Sequence, residues 1–124
     1  MDWLWLIGRA VFGLYFVYSG LNHFLQYQGM KQYASFKHAP VPGFSVIVTG
    51  LMLLAGGLSV LTNYYLEWGI GLLVVFLVVA AFVMHNFWTV KDATAKAGEK
   101  AHFFKNLALA AATLMLLSIT NWTW

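Results

Sequence analysis

The sequence predicts an all-α integral membrane protein, a four-helix bundle with its N- and C-termini on the same side of the bilayer. Three observations predict it. The chain is 61% hydrophobic and 9% charged, with a mean hydropathy of +0.73, whereas a soluble domain carries about 25% charged residues. Its apolar residues fall into the runs Trp3–Leu25, Phe44–Leu61, Trp68–Phe87 and Phe103–Ile119, each near the roughly 20 residues that cross the hydrocarbon core. These runs also lack the alternation of barrel strands, and an open sheet edge is not viable in lipid. For 124 residues, the economical arrangement is one transmembrane domain over the whole chain. Its helices are expected at about 3–25, 44–62, 67–88 and 102–121, four spans of membrane-crossing length.

The first span has no basic segment before it, carries Arg9 inside it and lacks a small-residue cleavage site. It therefore reads as a retained helix rather than a cleaved signal. The following loop, Gln26–Gly43, sets Met30, Tyr33 and Phe36 against Lys31 and Lys37, the pattern of a short amphipathic segment at the membrane surface. Pro40 and Pro42 stop any helix there and set the entry to the second span. A short polar turn, Thr62–Glu67, leads to the third span. Thr89–Ala101 mixes Lys, Asp and Glu with Ala and Gly and reads as a solvated loop before the fourth.

The lysines orient the bundle. Lys31 and Lys37 lie in the first loop, and Lys91, Lys96, Lys100 and Lys105 flank the third. The positive-inside rule places both loops in the cytoplasm and both termini outside, the periplasmic side if the membrane is a bacterial inner one. Trp3, Trp5, Tyr64, Tyr65, Trp68, Trp122 and Trp124 form an aromatic belt at the opposite face. The net charge of +3 and the pI near 9.3 thus reflect topology, and the partner they imply is a lipid bilayer, not nucleic acid. The chain has no cysteine, which excludes disulfide, thiol-redox and thiolate-metal chemistry within it.

At about 100° per residue, each span carries a line of small and polar residues. The lines are Arg9, Gly13, Phe16, Gly20 and His23; Ser45, Thr49, Met52, Gly56, Ser59 and Asn63; Glu67, Gly71, Val74, Val78, Ala81 and His85; and His102, Asn106, Leu109, Thr113 and Thr120. Small residues let helices approach, and polar groups turn inward because lipid cannot solvate them. The four lines are expected to face one another, most of the Gly, Ser and Thr positions serving packing.

Two polar layers follow. At the outer end Arg9 and Glu67 are the expected structural ion pair, because a lone charge at that depth costs about 3 kcal/mol. At the opposite end His23, His85 and His102 gather with Asn22, Asn86, Lys105 and Asn106. Such a layer suits helix capping, hydrogen bonding to a quinone carbonyl, or, less readily, a metal or haem. There is no HExxH motif and no nucleophile beside a base, so no catalytic residue and no metal ligand set is assigned.

At these residues the sequence resembles the DoxX family of small bacterial membrane proteins. GRAVFGLYFVYSGLNHF at Gly8–Phe24, HNFW at His85–Trp88 and HFFKNLALAA at His102–Ala111 carry the resemblance. It implies a four-helix inner-membrane protein. Some relatives are subunits linked to quinone-dependent oxidation of sulfur compounds, or partners of oxidative-stress enzymes. By position, the motif residues are Arg9, Asn22, His85, Asn86, Trp88, His102, Lys105 and Asn106. The chain departs from many relatives in lacking an acidic residue in its second span, where Ser45–Gly57 offers only Ser45 and Thr49 as polar side chains.

The function expected is an accessory subunit of a membrane redox system, with a quinone or small-molecule site formed by His23, His85, Asn86, Trp88, His102, Lys105 and Asn106. His85 or His102 would bond the quinone carbonyl, Trp88 and Phe103 would wall the ring, and Lys105 would favour the reduced anion. If the chain serves an enzyme, it is a quinone-linked oxidoreductase whose electrons come from a protein partner. The alternative is a non-catalytic structural or assembly module that binds a protein partner or anionic lipid; in either reading a protein partner or a homo-oligomer is expected. A channel or transporter is the weakest reading, since no paired broken helices are evident.

Overall fold

The computed structural model describes residues 2–124. The helices are α1 (Asp2–Leu25), α2 (Tyr27–Phe36), α3 (Pro42–Thr62), α4 (Leu66–Met84) and α5 (Ala93–Met115), with short 3-10 turns at Phe87–Thr89 and Leu116–Ser118. Four segments, Asp2–Leu25, Pro42–Thr62, Leu66–Thr89 and Ala93–Ser118, are long and apolar enough to cross a membrane. At about 1.5 Å per residue each matches or exceeds the roughly 30 Å of hydrocarbon. The chain is the all-α, multi-pass bundle that its composition predicts.

Neighbours follow chain order. α1 packs on α3, α3 on α4 and α4 on α5, while α2 lies mainly against α3. Glycines set the first two contacts. A Cβ on Gly57 would meet Gly13 O and Val17 N at 2.8 Å, and one on Gly69 would run into Ser59 Cβ. The α1/α3 and α3/α4 backbones are thus close enough for dispersion contact along their lengths, the usual source of helix association in lipid. Phe16, Leu53, Val60, Leu73, Leu77 and Ala110 form the core they enclose.

α1 and α5 do not pack on each other along their length, and the C-terminal tail joins them at one end. Trp122 meets Trp5 edge to face with ring centroids 5.0 Å apart, and Arg9 donates to Thr123 O at 3.1 Å. Both described ends of the chain therefore lie together at the tryptophan-rich end of the bundle.

Of the expected inward lines, that of α1 holds for Arg9, Gly13, Phe16 and Gly20. On α5, Asn106 and Thr113 are buried as expected, joined by Phe103 and Ala110. α3 is turned by about one residue, burying Val46, Gly50, Leu53, Gly57 and Val60 beside Gly56 and Ser59. α4 buries Gly69, Ile70, Leu73, Leu77 and Ala81, so Ala81 alone of its expected line is buried. On α3 the glycines Gly50, Gly56 and Gly57 steer the buried face more strongly than the hydroxyls do, because backbone approach is lost wherever a Cβ intervenes.

The solvated loop expected at Thr89–Ala101 is mostly helix. α5 starts at Ala93, where the Asp92 carboxylate accepts the Ala95 N–H at 2.8 Å, satisfying one of the unpaired donors of the first turn. It also ends early, at Met115, and the expected helix to about 121 gives way to a 3-10 turn and an irregular tail. α2 is the short amphipathic segment predicted between the first two spans.

Candidate functional site

Arg9 is 2% exposed, and its partners are carbonyls rather than the expected Glu67. Its Nε donates to Val60 O at 2.7 Å and a terminal nitrogen donates to Leu61 O at 3.2 Å. These oxygens lie in the last turn of α3, where carbonyls have no intrahelical donor and carry the negative end of the helix dipole. Trp124 also donates to Leu61 O, at 2.9 Å, and its ring lies 4.1 Å from the Arg9 guanidinium carbon. Among the described residues no Arg9–Glu67 ion pair forms. Glu67 stays exposed, in a shallow groove beside Trp68 and Trp122.

At the other end, the gap between α1 and α5 is a cleft of about 580 Å³, floored by α3 and α4 and bordered by α2. Phe16, Met52, Phe76 and Leu109 give it apolar walls, while His23, Thr49, His85, Lys105 and Asn106 bring polar atoms to it. His23 Nδ1 lies 3.1 Å from Val46 O and 3.1 Å from Thr49 Oγ1. A carbonyl only accepts, so this nitrogen carries the hydrogen. The Thr49 hydroxyl donates back to Ser45 O at 2.7 Å, leaving its oxygen able to accept from His23.

His85 stands at the C-terminal end of α4, with Nδ1 3.0 Å from Glu99 Oε2. Glu99 is the hub of a cluster that ties three elements together. Lys37 Nζ lies 3.6 Å from the same oxygen, Tyr33 donates its hydroxyl to the other at 3.3 Å, and Lys37 also donates to Asn86 Oδ1 at 3.4 Å. With three donors aimed at it, the carboxylate acts as acceptor, so His85 Nδ1 bears the hydrogen. Burial first, then the charge and hydrogen bond of Glu99, push the Tyr33 phenol above its ordinary pKa. The His102 ring lies 5.1 Å from that of His85, and Lys105 Nζ is 3.2 Å from His102 Nδ1.

The polar residues expected to gather thus divide. His23, His85, Lys105 and Asn106 line the cleft. Asn86 belongs to the Lys37–Glu99 cluster behind it, and His102 is an exposed neighbour of His85. His85 and His102 do meet, whereas His23 is held separately by α3 and shares only the cleft with them. Trp88 and Phe103 do not wall the cleft. They pack with Phe82 and Phe87 in a separate aromatic cluster in which Trp88 is 50% exposed. The rings beside the cleft are Tyr15, Phe16, Tyr33 and Phe76.

Glu99, Tyr33 and Lys37 are the site residues that sequence reasoning missed. A usable signal was present: once α5 is extended back to Ala93, Glu99 and His102 stand three residues apart on one helix face. Among the described residues no three metal-ligating side chains converge. The polar equipment of the cleft is a set of hydrogen-bonding groups around an apolar space.

No curated protein and no solved structure matches the chain. The family model described as DoxX matches residues 4–86, from the start of α1 to Asn86. α5, with Glu99, His102, Lys105 and Asn106, lies beyond the match, so these residues stand on their geometry. Covering about two thirds of the sequence and three of its four spans, the match identifies this chain as a member of the DoxX family.

Proposed function

We propose that this DoxX-family protein binds a quinone head group in the cleft and serves as an accessory subunit of a membrane redox system. The observation that carries this reading is the cleft itself. About 580 Å³ of largely apolar space opens between α1 and α5, with imidazole, amide and ammonium groups at its border. Small-molecule sites have this build, an apolar body for binding and a few polar groups for orientation, within roughly 300–1,000 Å³. A quinone is a planar apolar ring with polar atoms at opposite edges and arrives from the bilayer. A cleft bordered by membrane-spanning helices suits that route.

The chain holds no cysteine for an iron–sulfur cluster or thiol relay, so in this reading a protein partner supplies or removes the electrons. The host membrane is the bacterial inner membrane, and its cytoplasmic face is the lysine-rich end with the cleft.

The test is extraction of protein purified from its native membrane, followed by mass spectrometry of the lipid fraction. Wild type is expected to carry a quinone in near-stoichiometric amount. Met52→Trp, which fills the apolar wall, is expected to lose it while keeping its helical circular dichroism. Equal, trace-level quinone in both proteins would refute the assignment.

A further inference from the structure

We infer that the cleft is built to bind the reduced, dihydroxy form of its ligand in preference to the oxidised form. The inference rests on the quinone reading above and adds the redox state that the site selects. It follows from the tautomers of the two histidines in the cleft.

Each histidine uses Nδ1 to reach an acceptor of the protein itself. His23 Nδ1 is 3.1 Å from Val46 O, and His85 Nδ1 is 3.0 Å from Glu99 Oε2. A carbonyl and a carboxylate cannot donate, so both Nδ1 atoms carry hydrogen. In the neutral ring Nε2 is then an acceptor, and among the described residues neither Nε2 has a hydrogen-bond partner. Two acceptors bordering an apolar cleft call for a ligand with hydroxyl donors. A quinol supplies two, whereas a quinone carbonyl facing a bare imidazole lone pair is repelled and leaves a polar atom unpaired, a costly arrangement away from water. Lys105 and Asn106 can donate to either redox form, so they add affinity without discrimination.

Glu99 is in this account a positioning residue. It touches no ligand, but it fixes the His85 tautomer from behind and is itself held by Tyr33 and Lys37 from α2. The groups that face His85 are Glu99, His102 and Lys105 on α5, with Lys37 and Asn86 next to Glu99.

The test uses full-length protein in nanodiscs with decylubiquinol and decylubiquinone as probes, together with nitrogen-15 NMR of the histidine rings. Wild type is expected to show Nδ1–H at His23 and His85, and to bind decylubiquinol about tenfold more tightly, the worth of one net hydrogen bond. Glu99→Ala is expected to lose most of that preference by weakening quinol binding while quinone binding changes little, and Glu99→Asp to restore part of it. Equal wild-type affinity for the two forms, an equal loss of both in Glu99→Ala, or an Nε2–H tautomer at His85 would overturn the inference and leave the quinone reading standing. Failure of wild type to bind either probe would overturn both. The tautomer measurement needs no variant, so it decides even if Glu99→Ala does not fold.

Discussion

Arg9 shows how a charge is accommodated inside an apolar helix without an acid. Its guanidinium donates to Val60 O, Leu61 O and Thr123 O, so it caps the end of α3 and fastens the C-terminal tail in one arrangement. Arg9→Met is expected to leave two α3 carbonyls without these donors and to release Trp124. Loss of charge-assisted bonds of this kind costs about 1.5–3 kcal/mol. The cost is readable as a lower unfolding temperature in detergent and a red-shifted tryptophan emission. An unchanged melting temperature would show that the carbonyls are satisfied without Arg9. The inward direction of Arg9 was legible from helical spacing. Its partner was not, because the carbonyls at the end of α3 become acceptors only once α1 and α3 are packed. The same limit hid Glu99, whose neighbours Tyr33 and Lys37 are 66 and 62 positions away in the chain.

The helices are set in register by small residues. A Cβ on Gly57 would press on the backbone of α1 at 2.8 Å, while one on Gly71 would meet nothing within 4 Å. Gly57→Ala is therefore expected to destabilise the bundle by about 1–3 kcal/mol through overpacking. Gly71→Ala should be neutral or stabilising by up to about 1 kcal/mol from helix propensity alone. Thermal unfolding of the two variants side by side measures the difference, and equal behaviour would contradict the packing described. Of the elements, the four spans were plain in the sequence because each joins a long apolar run to polar ends. The start of α5 is harder to read, because its first turns, Ala93–Ala101, carry lysines and an acid. Those are good helix formers, and Asp92 is a sound N-cap, so propensity pointed to helix where polarity suggested loop. The buried face of α4 is not legible, because its residues are apolar on all sides, leaving no contrast from which to read a face.

At the scale of the whole molecule, the two ends of the bundle do different work. The tryptophan-rich end is closed by Arg9 and the tail, and the lysine-rich end is open as the cleft. In the reading proposed above, the lysine-rich open end faces the cytoplasm. The chain has no cysteine of its own, so single introduced cysteines report cleanly. In intact cells Tyr64→Cys is expected to react with a membrane-impermeant maleimide, and Lys96→Cys only after permeabilisation. The reverse pattern would invert the topology. The bundle class followed from composition, but the cleft did not, since its existence depends on α1 and α5 failing to pack, and no local pattern reports that.

If the cleft between α1 and α5 holds a quinone-like ring, photolabelling will locate it there. Native membranes are treated with an azido-quinone, irradiated, and the labelled peptides sequenced. The label is expected within residues 16–23, 45–52 and 76–85, which contribute His23, Thr49, Met52, Phe76 and His85 to the cleft, and it should fall sharply in Met52→Trp. Labelling confined to the exposed aromatic cluster around Trp88, or of equal yield in Met52→Trp, would contradict it.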